Sequence, residues 1–416
     1  MNHPTPGLWQ VRARQLDAYR WALWREKHGV IGATARFLRD ATLDFKHGLF
    51  ARLRAANAPH SAADRILVLH GSPKLLAQRR KNGLIQALRE RGHDVVEAAI
   101  EPLDVAVRQK LLYRPAARVP LRYYAHAAYA EWLARHHGPG LVLSERHGSL
   151  VTPFLRLALN AQNKRLAQLA HATTVERSRR LSMTDYDYYL LFGQSSLAAL
   201  QRRTLRFGTT QAILTGSYLV DQRYDMPPAA NDPRVLVLGV GPDREKRPGY
   251  QRTYALIRDW AARHPHIPVA FKPHPRSLMA FWQKAAQDHP NIQLLPPELF
   301  LADALAQSSV VLSIMSNAAL EASVASRPVI YVNASDDPDD LEQSRFFGQC
   351  VNTPEMLDER LEWLHQHYDQ ALDNTHAFAE YHLAYGVHGQ LQTADVIDHL
   401  IHGRPLQTTR LEGTLG

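Results

Sequence analysis

Cysteine is almost absent from this sequence, since Cys350 is the only one. An intrachain disulfide is therefore excluded, and so is a zinc site built from several cysteines. Long apolar runs are absent as well. None approaches the roughly 18 residues that a membrane-spanning helix needs, and the opening residues lack the apolar stretch of a signal peptide. These absences predict a cytoplasmic protein that neither spans a membrane nor is exported.

The common signatures of cofactor and metal binding are also missing. The chain has no Gly-x-x-x-x-Gly-Lys-Ser/Thr loop, which disfavours a P-loop NTPase, and no complete dinucleotide fingerprint. Two acidic clusters, Asp185 with Asp187 and the run from Asp336 to Asp340, are more typical of a strand edge and a solvated loop than of a metal site. We therefore expect no resident metal, no cofactor and no nucleic-acid partner.

The chain has the length and the pattern of a two-domain α/β protein. Its 416 residues suffice for two or three domains, and 45% hydrophobic against 21% charged residues is ordinary globular usage. Apolar runs alternate with helical stretches, which predicts parallel sheets covered on both faces. Strands are predicted at 65–69, 93–99, 141–143, 187–192, 211–214, 234–238, 269–272, 292–295, 310–312 and 329–332. Helices are predicted at 81–91, 131–137, 251–263, 278–288, 299–306, 317–324 and 354–367.

A proline-rich stretch divides the two sets of strands. We predict a hinge at 226–233, because three of its residues are prolines. The predicted domains are two Rossmann-like domains at 58–225 and 234–380, with a basic amphipathic helical segment at 1–57 and a C-terminal helix and tail at 381–416. Because such sheets bind ligands at the carboxyl ends of their strands, we expect a deep cleft between the domains.

Most of the positive charge lies near the amino terminus. The formal net charge is +9, and the stretch from Leu8 to Asn57 holds ten basic and four acidic residues. Apolar spacing there predicts amphipathic helices interrupted near Gly29 and Gly32. Two interpretations are open. The helices can pack on the body of the protein with a solvated charged face, or residues 8–57 can dock on an anionic membrane surface.

A histidine between two prolines is the most informative motif. Lys272-Pro273-His274-Pro275-Arg276 follows a predicted strand, and the prolines restrict the backbone so that the imidazole points in a fixed direction. With these cations beside it, His274 can donate charge-assisted hydrogen bonds to a phosphate. An isolated His-Pro pair is more often a surface turn, so this interpretation needs a second element.

The second element follows the strand at 310–312. Ser313 leads toward a helix whose predicted cap is Ser316 or Asn317, and its start is expected to offer unpaired N–H groups to an anion. Glu321 lies about one turn inside, within reach of ribose hydroxyls. The alternative is an ordinary capped helix with an exposed Glu321.

Glycines after two other strands permit close approach of the backbone to a ligand. One pair is Gly216 with Ser217, and the other is Gly239 with Gly241. The residues assigned to a bound nucleotide are therefore Gly216, Ser217, Gly239, Gly241, Lys272, His274, Pro275, Ser313, Ser316, Asn317 and Glu321.

Candidates for a general base lie in the first domain. Glu145 and His147 follow the strand at 141–143, and His171 is an alternative base. Glutamate and histidine can each take a proton from a hydroxyl group within hydrogen-bond reach. Since the chain has 22 histidines, any single one is more often structural.

Taken together, these motifs resemble the GT-B transferases of bacterial surface polysaccharide synthesis. The likeness is closest to the His-Pro group, which includes bacterial sialyltransferases, Kdo transferases and CDP-glycerol glycerophosphotransferases. It covers about half of the chain, roughly 141–348, although the acidic-acidic-Gly triplet of sialyltransferases is missing at 144–148. The segments that carry it are 145–148, 214–217 with Asp221, 272–275, 313–321 and 327–330.

The resemblance implies that 58–225 is the acceptor domain and 234–380 the nucleotide-donor domain. It also implies that His274, Ser313 and Ser316 contact the phosphate of a cytidine nucleotide, and that Glu145 or His147 is the base. It predicts a metal-independent glycosyltransferase that moves a sugar from a CMP- or CDP-activated donor onto a hydroxyl of a surface polysaccharide or glycolipid. Such an enzyme works at the inner face of the inner membrane. The alternatives are a CDP-glycerol-type phosphotransferase, a UDP-sugar 2-epimerase and a noncatalytic assembly or export component.

Overall fold

The computed structural model describes residues 7–59, 64–175, 178–230 and 234–415. Within them the chain forms two compact units. The N-terminal unit contains the residues up to Leu191, then Ser196–Leu219 and the residues from Leu391 onward. The C-terminal unit contains Phe192–Ser195 and Val220–Gln390.

The described residues form twelve strands and sixteen α-helices. The strands are β1 (Arg65–His70), β2 (Val95–Ala99), β3 (Pro139–Ser144), β4 (Arg165–Leu169), β5 (Tyr188–Leu191), β6 (Thr209–Leu214), β7 (Val235–Leu238), β8 (Val269–Lys272), β9 (Ile292–Leu294), β10 (Val310–Ser313), β11 (Val329–Tyr331) and β12 (Thr409–Glu412). The helices are α1 (Leu8–Arg54), α2 (Pro73–Ala77), α3 (Asn82–Glu90), α4 (Leu103–Arg108), α5 (Leu121–His136), α6 (Thr152–Asn160), α7 (Gln194–Arg202), α8 (Pro242–Glu245), α9 (Pro248–Arg263), α10 (Ala280–Asp288), α11 (Leu301–Ala306), α12 (Ala318–Val324), α13 (Gln343–Phe347), α14 (Pro354–Gln366), α15 (Tyr368–His382) and α16 (Gly389–Ile401).

The N-terminal unit contains a seven-stranded sheet with the order β12-β6-β5-β4-β3-β1-β2. All neighbours are parallel except β12, which pairs antiparallel with β6. The chain runs from β1 out to β2 and returns to the other side of β1 with β3. The direction of winding therefore changes between β1 and β3, and ligands of doubly wound sheets bind at the carboxyl ends of such a pair.

The C-terminal unit contains a parallel five-stranded sheet with the order β11-β10-β7-β8-β9. Its winding reverses between β7 and β10. Leu238, the last residue of β7, pairs with Ser313 on one side and with Lys272 on the other. The loops that follow these three strands therefore start at the same level, and residues from three distant parts of the sequence lie at one edge of the sheet.

The long helix α1 belongs to the N-terminal unit. Trp9, Leu16 and Tyr19 are buried in its hydrophobic core. The helix is broken at Gly29, whose φ of 67° and ψ of −175° lie outside helical geometry, and this left-handed φ favours glycine. The predicted interruption is thus present at Gly29, whereas Gly32 is helical. The stretch is not a separate segment, because its first half packs in the core.

Several elements differ from the sequence-based predictions. Strand β4, helices α6 and α7 and strand β12 were not predicted, and α5 begins at Leu121, ten residues before the expected start. In β4 the buried Gln168 interrupts the apolar run that marks the other strands. The residues from Leu391 onward, expected as part of a C-terminal helix and tail, belong to the N-terminal unit, where β12 adds an edge strand to the sheet.

The boundary between the units also differs from the prediction. The C-terminal unit begins at Val220 rather than after 225, and Pro227 is held within it because its carbonyl accepts a hydrogen bond of 2.7 Å from Arg327. Residues 231–233 of the expected hinge lie outside the described residues. The hinge and the cleft between the domains stay predictions.

None of the helices in the described ranges combines the length and the apolar character needed to cross a membrane.

Candidate functional site

The His-Pro motif occupies the loop after β8. The Nδ1 atom of His274 accepts a hydrogen bond of 3.1 Å from the backbone N–H of Arg276. In the neutral ring the proton is therefore on Nε2, which makes that atom a hydrogen-bond donor. A Cβ atom on Gly241 would lie 3.9 Å from this nitrogen. The loops after β7 and β8 thus meet at the imidazole, and the predicted glycine lies directly beside it.

A buried glutamate, Glu245, ties these two loops together. Its carboxylate accepts hydrogen bonds from the hydroxyl of Ser277 at 2.7 Å, the backbone N–H of Leu278 at 2.6 Å and the hydroxyl of Tyr254 at 3.1 Å. Glu245 itself lies in α8, directly after the β7 loop. The carboxylate therefore positions the His274 loop against the β7 loop through neutral donors.

The loop after β10 joins the same group. Arg244, next to Glu245, donates a hydrogen bond to the carbonyl of Met315. Ser313 is fully buried, and its hydroxyl oxygen has no hydrogen-bond partner among the described residues. An orphaned hydroxyl where the winding of the sheet reverses is the kind of group that a bound ligand satisfies.

The helix after this loop offers fewer free donors than expected. The Ser316 hydroxyl accepts a hydrogen bond from the N–H of Ala318, and the N–H groups of Ala319 and Leu320 bond to the carbonyls of Ser316 and Asn317. Helix α12 also has only seven residues. The expectation that its start presents unpaired N–H groups to an anion is therefore corrected for these three amides.

Three other residues assigned to the nucleotide are Lys272, Pro275 and Glu321. Lys272 is 7% exposed, and its ammonium donates to the carbonyls of Pro297 at 2.8 Å and Pro296 at 3.4 Å in the loop after β9. Burial lowers the pKa of Lys272. In this structure the ammonium holds the loop after β9, and its expected contact with a phosphate stays a prediction. Pro275 is exposed. Glu321 lies in the first turn of α12, and its negative charge, after burial, helps to raise the pKa of Tyr224.

In the N-terminal unit, four ionisable side chains form a chain of contacts where the winding reverses. Glu145 follows β3 and forms an ion pair with Lys81, the residue that precedes α3. The Lys81 ammonium is 3.3 Å from Nδ1 of His70, whose Nε2 is 2.9 Å from Glu97. Because the ammonium can only donate, Nδ1 accepts and Nε2–H donates to Glu97. The backbone N–H of Gly71 also donates to Glu145, at 3.1 Å.

The network keeps Glu145 ionised. Burial by itself would raise the pKa of this carboxyl, but the Lys81 ammonium and the N–H of Gly71 outweigh that effect and hold the pKa below its ordinary value. Burial lowers the pKa of Lys81, an effect that Glu145 partly offsets. Glu145 is therefore a fixed carboxylate with both oxygens engaged, which leaves it little capacity to take a proton.

The two predicted histidines lie together at the same edge. The His147 ring centroid is 5.2 Å from that of His171, and its Nε2 is 3.4 Å from the hydroxyl of Tyr189. Burial, followed by the charges of His171 and Arg203, lowers the pKa of His147 to about 3. Its Nδ1 has no hydrogen-bond partner among the described residues. His147 is therefore neutral near pH 7, whereas His171 is exposed.

These groups line a pocket of about 300 Å³ within the N-terminal unit. The described side chains that line the pocket are cationic, imidazole, hydroxyl or apolar, and Glu145 is the one carboxylate among these lining residues. They are Gly71, Leu75, Arg80, Lys81, Glu145, Arg146, His147, His171, Ser178, Arg180, Leu181, Tyr218 and Leu219. The pocket is thus electropositive and suits an anionic or polyhydroxylated ligand. The described part of the chain contains no group of three metal-ligating side chains.

Gly216 and Ser217 directly precede Tyr218 of this pocket, in the N-terminal unit. The other residues assigned to the donor lie in the C-terminal unit. A role of Gly216 and Ser217 in nucleotide binding stays a prediction.

Sequence reasoning missed several residues of both sites. His70 lies at the carboxyl end of a strand, as His274 does, and this shared position could have drawn attention to it, although no prolines flank His70. Lys81 and Glu97 lie on other elements, and only the pairing of β1 with β2 and the position of α3 bring them to His70. Glu245 was also missed, because nothing in its local sequence marks it as buried.

No protein-family model matches the chain, and no curated protein is similar to it at a significant level. Solved structures do share its fold. A UDP-N-acetylglucosamine 2-epimerase has 12% identity and a TM-score of 0.53, covering 85% of this chain and 100% of its own. The Neisseria meningitidis UDP-GlcNAc 2-epimerase bound to UDP-GlcNAc has 12% identity and a TM-score of 0.51, covering 81% and 100%. The glycotransferase of kitacinnamycin has 15% identity and a TM-score of 0.50, covering 82% and 100%.

These likenesses confirm the predicted fold class, an α/β chain with the two Rossmann-like units of the GT-B fold. At such identities they show the fold alone.

Proposed function

We propose that the protein is a nucleotide-sugar enzyme, and specifically a metal-independent glycosyltransferase that uses a cytidine-activated donor. The observation that carries the proposal is the fixed His274 ring, with its Nε2 donor beside Gly241 where the loops after β7 and β8 meet. The likeness to solved nucleotide-sugar enzymes supports the general class.

In this proposal the C-terminal unit binds the donor nucleotide. Gly239 and Gly241 let the backbone approach the phosphates, and the Ser313 hydroxyl supplies a further hydrogen bond. As the bond to the leaving phosphate breaks, negative charge accumulates on its oxygen, and the Nε2–H of His274 stabilises that charge. Neither a resident metal nor a cofactor is needed for this step.

The N-terminal unit would bind the acceptor and supply the base. Glu145 has both oxygens engaged and His147 is disfavoured as a cation by burial, so we assign the proton transfer to His171, which is exposed on the wall of the pocket. Glu145 and Lys81 are positioning residues, since they hold together the loops that frame the pocket. The cations Arg80, Arg146 and Arg180 would favour an acceptor that carries a phosphate or carboxylate.

A UDP-sugar 2-epimerase is the second candidate. It is favoured by the epimerases among the similar structures, one of them bound to UDP-GlcNAc. The support for cytidine is the resemblance of 272–275 and 313–321 to the His-Pro transferases. The two candidates differ in one chemical requirement, since an epimerase interconverts a nucleotide sugar without any acceptor.

Nucleotide binding and product analysis separate the candidates. Thermal unfolding in separate CMP, CDP, UDP and GDP should show stabilisation by a cytidine nucleotide. Mass spectrometry of products from CMP-sugars and CDP-alditols then identifies the transferred group and distinguishes a sugar from a glycerophosphate. Stabilisation by UDP alone, with acceptor-free conversion of UDP-GlcNAc, would establish the epimerase, and no response to any nucleotide would favour a noncatalytic binding protein.

Replacing His274 tests the central step. We expect His274→Ala to lower kcat by roughly 100-fold to 1,000-fold, the loss typical when one donor to a developing oxyanion is removed, with an unchanged melting temperature. The control is His266→Ala, because His266 is exposed in the loop before β8, at the opposite end of the same strand. Turnover in the His274 variant close to that of the control would remove His274 from the mechanism.

The same assay assigns the base. His171→Asn should lose turnover together with the rise of kcat/KM with pH that reports a titrating base. If Glu145→Gln, at matched stability, abolishes that rise and His171→Asn keeps it, Glu145 is the base.

A further inference from the structure

The second half of α1 exposes an unusual amount of apolar surface. Of the fourteen large apolar side chains exposed in the described part of the chain, ten lie on this helix. Five of them form what we call the outer stripe. They are Ile31, Leu38, Phe45, Leu49 and Leu53, and the first and last are 88% and 75% exposed. Their spacing of seven, seven, four and four residues places them along one side of a helix with about 3.6 residues per turn.

The opposite side of this half-helix is packed against the N-terminal unit. Ala33, Asp44, Gly48 and Ala51 are buried there. The contact is close, because a Cβ atom on Gly48 would lie 1.9 Å from the carbonyl oxygen of Leu121 at the start of α5. The outer stripe is therefore held on the surface by a firmly attached helix.

The charges on this half-helix are sorted between the two sides. Both of its acidic residues are paired on the inner side, Asp44 with Arg20 at 2.6 Å and Asp40 with Arg20 at 3.5 Å. The exposed cations Lys46 and Arg52 lie on either side of the stripe. The outward side of residues 30–54 thus combines apolar side chains with positive charge, since the two acidic residues of this stretch, Asp40 and Asp44, lie on the inner side.

We propose that the outer stripe docks on the surface of a bilayer that contains anionic lipid. The apolar side chains would enter the boundary between headgroups and acyl chains, while Lys46 and Arg52 contact the anionic headgroups. A second copy of the chain fits less well, because it would bring like charges together at a contact without acidic partners. The proposal concerns a surface distinct from both candidate sites and does not depend on the transferase assignment.

Vesicle sedimentation of the full chain tests the proposal. The probes are vesicles of phosphatidylcholine alone and of phosphatidylcholine with phosphatidylglycerol. The stripe variant is Leu49→Glu/Leu53→Glu. The matched control is Leu278→Glu/Phe300→Glu, which replaces two apolar side chains of the C-terminal unit that are 51% and 57% exposed. A second variant, Lys46→Glu/Arg52→Glu, changes only exposed cations. It keeps the proposal testable if the stripe variant fails to fold.

We expect the wild-type chain and the control to sediment with the anionic vesicles, and both other variants to bind at least about tenfold more weakly, as the loss of apolar insertion or of headgroup attraction requires. High salt should weaken wild-type binding. Three results would overturn the proposal: no wild-type binding, equal binding to both kinds of vesicle, or a wild-type dimer in sedimentation velocity that the stripe variant converts to a monomer.

Discussion

A glutamate connects neighbouring loops in each unit, but the two carboxylates are compensated by different means. Glu145 pairs with the ammonium of Lys81 and with one backbone N–H. Glu245 instead accepts hydrogen bonds from three neutral donors of the described residues, Ser277, Leu278 and Tyr254. The first carboxylate depends on an opposite charge and the second on aligned dipoles, although both lie at the carboxyl ends of parallel strands.

The difference bears on the chemistry proposed for each unit. Where a ligand phosphate is to be bound, a carboxylate surrounded by neutral donors holds the loops without placing a competing cation beside the imidazole. In the other unit the ion pair leaves the pocket electropositive, since Arg80, Arg146 and Arg180 also line it. The N-terminal site should therefore be the more sensitive to loss of one partner.

Removing the cation should produce the largest effect. We expect Lys81→Met to lower the free energy of unfolding by about 3–5 kcal/mol, because the carboxylate of Glu145, whose side chain is only 9% exposed, would be left without its counter-charge. The pKa of Glu145 should rise in this variant. Urea denaturation at neutral pH measures the loss.

The double variant Lys81→Met/Glu145→Leu provides the control. Replacing both partners removes the uncompensated charge, so most of the stability should return. A Lys81→Met protein as stable as the wild type would show that the ion pair does not compensate the burial of Glu145.

Glu245→Gln should have an intermediate effect. The NH2 group of the glutamine cannot accept a hydrogen bond, so the N–H of Leu278 or the hydroxyl of Ser277 would lose its acceptor. We expect the free energy of unfolding to fall by roughly 1–3 kcal/mol. Because the His274 loop would shift, the affinity for the nucleotide should also fall. The control is Glu359→Gln, at an exposed carboxylate of the same unit. Unchanged nucleotide binding in the Glu245 variant would mean that this carboxylate does not position the loop.

Mild acid should give the smallest effect, and a similar one in each unit, because each contains a buried histidine with a lowered pKa. Burial, followed by the charges of Arg20, His47 and Arg122, lowers the pKa of His126 in the N-terminal unit to about 3. The folded protein keeps this ring neutral while the unfolded chain protonates it below about pH 6.5, so the free energy of unfolding falls as the pH drops from about 6.5 toward 3. Between about pH 7.5 and 5.5 the contribution of His126 is roughly 1 to 1.5 kcal/mol.

Urea denaturation at the two pH values measures this difference. The variant His126→Phe should lose less stability than the wild type by that amount. His382 of the C-terminal unit, whose pKa burial lowers to about 4, is the matched comparison. An identical loss in wild type and the His126 variant would show that this ring does not carry the acid sensitivity.

The regular elements were predicted well where local signals were strong. Strands β7, β8 and β10 lie within one residue of their predicted bounds, because each is a short apolar run with a turn residue after it. Strand β4 and strand β12 were missed, since Gln168 interrupts one and the other is a polar edge strand that only its pairing with β6 defines. The contacts of the site residues were less accessible from sequence. His274 and Gly241 follow different strands and lie side by side, and the ammonium of Lys272 donates to the carbonyls of Pro296 and Pro297.

The sequence by itself determined the alternation of strands and helices, the break at Gly29 and the placing of chemically useful residues after strands, because propensity and periodicity are local properties. Only the tertiary structure decided which charges meet. It paired Glu145 with Lys81, enclosed Glu245 among neutral donors, turned Asp40 and Asp44 inward and left the apolar side chains of α1 exposed. The physical reason is that burial and pairing depend on distances between residues far apart in the chain, and no local pattern encodes those distances.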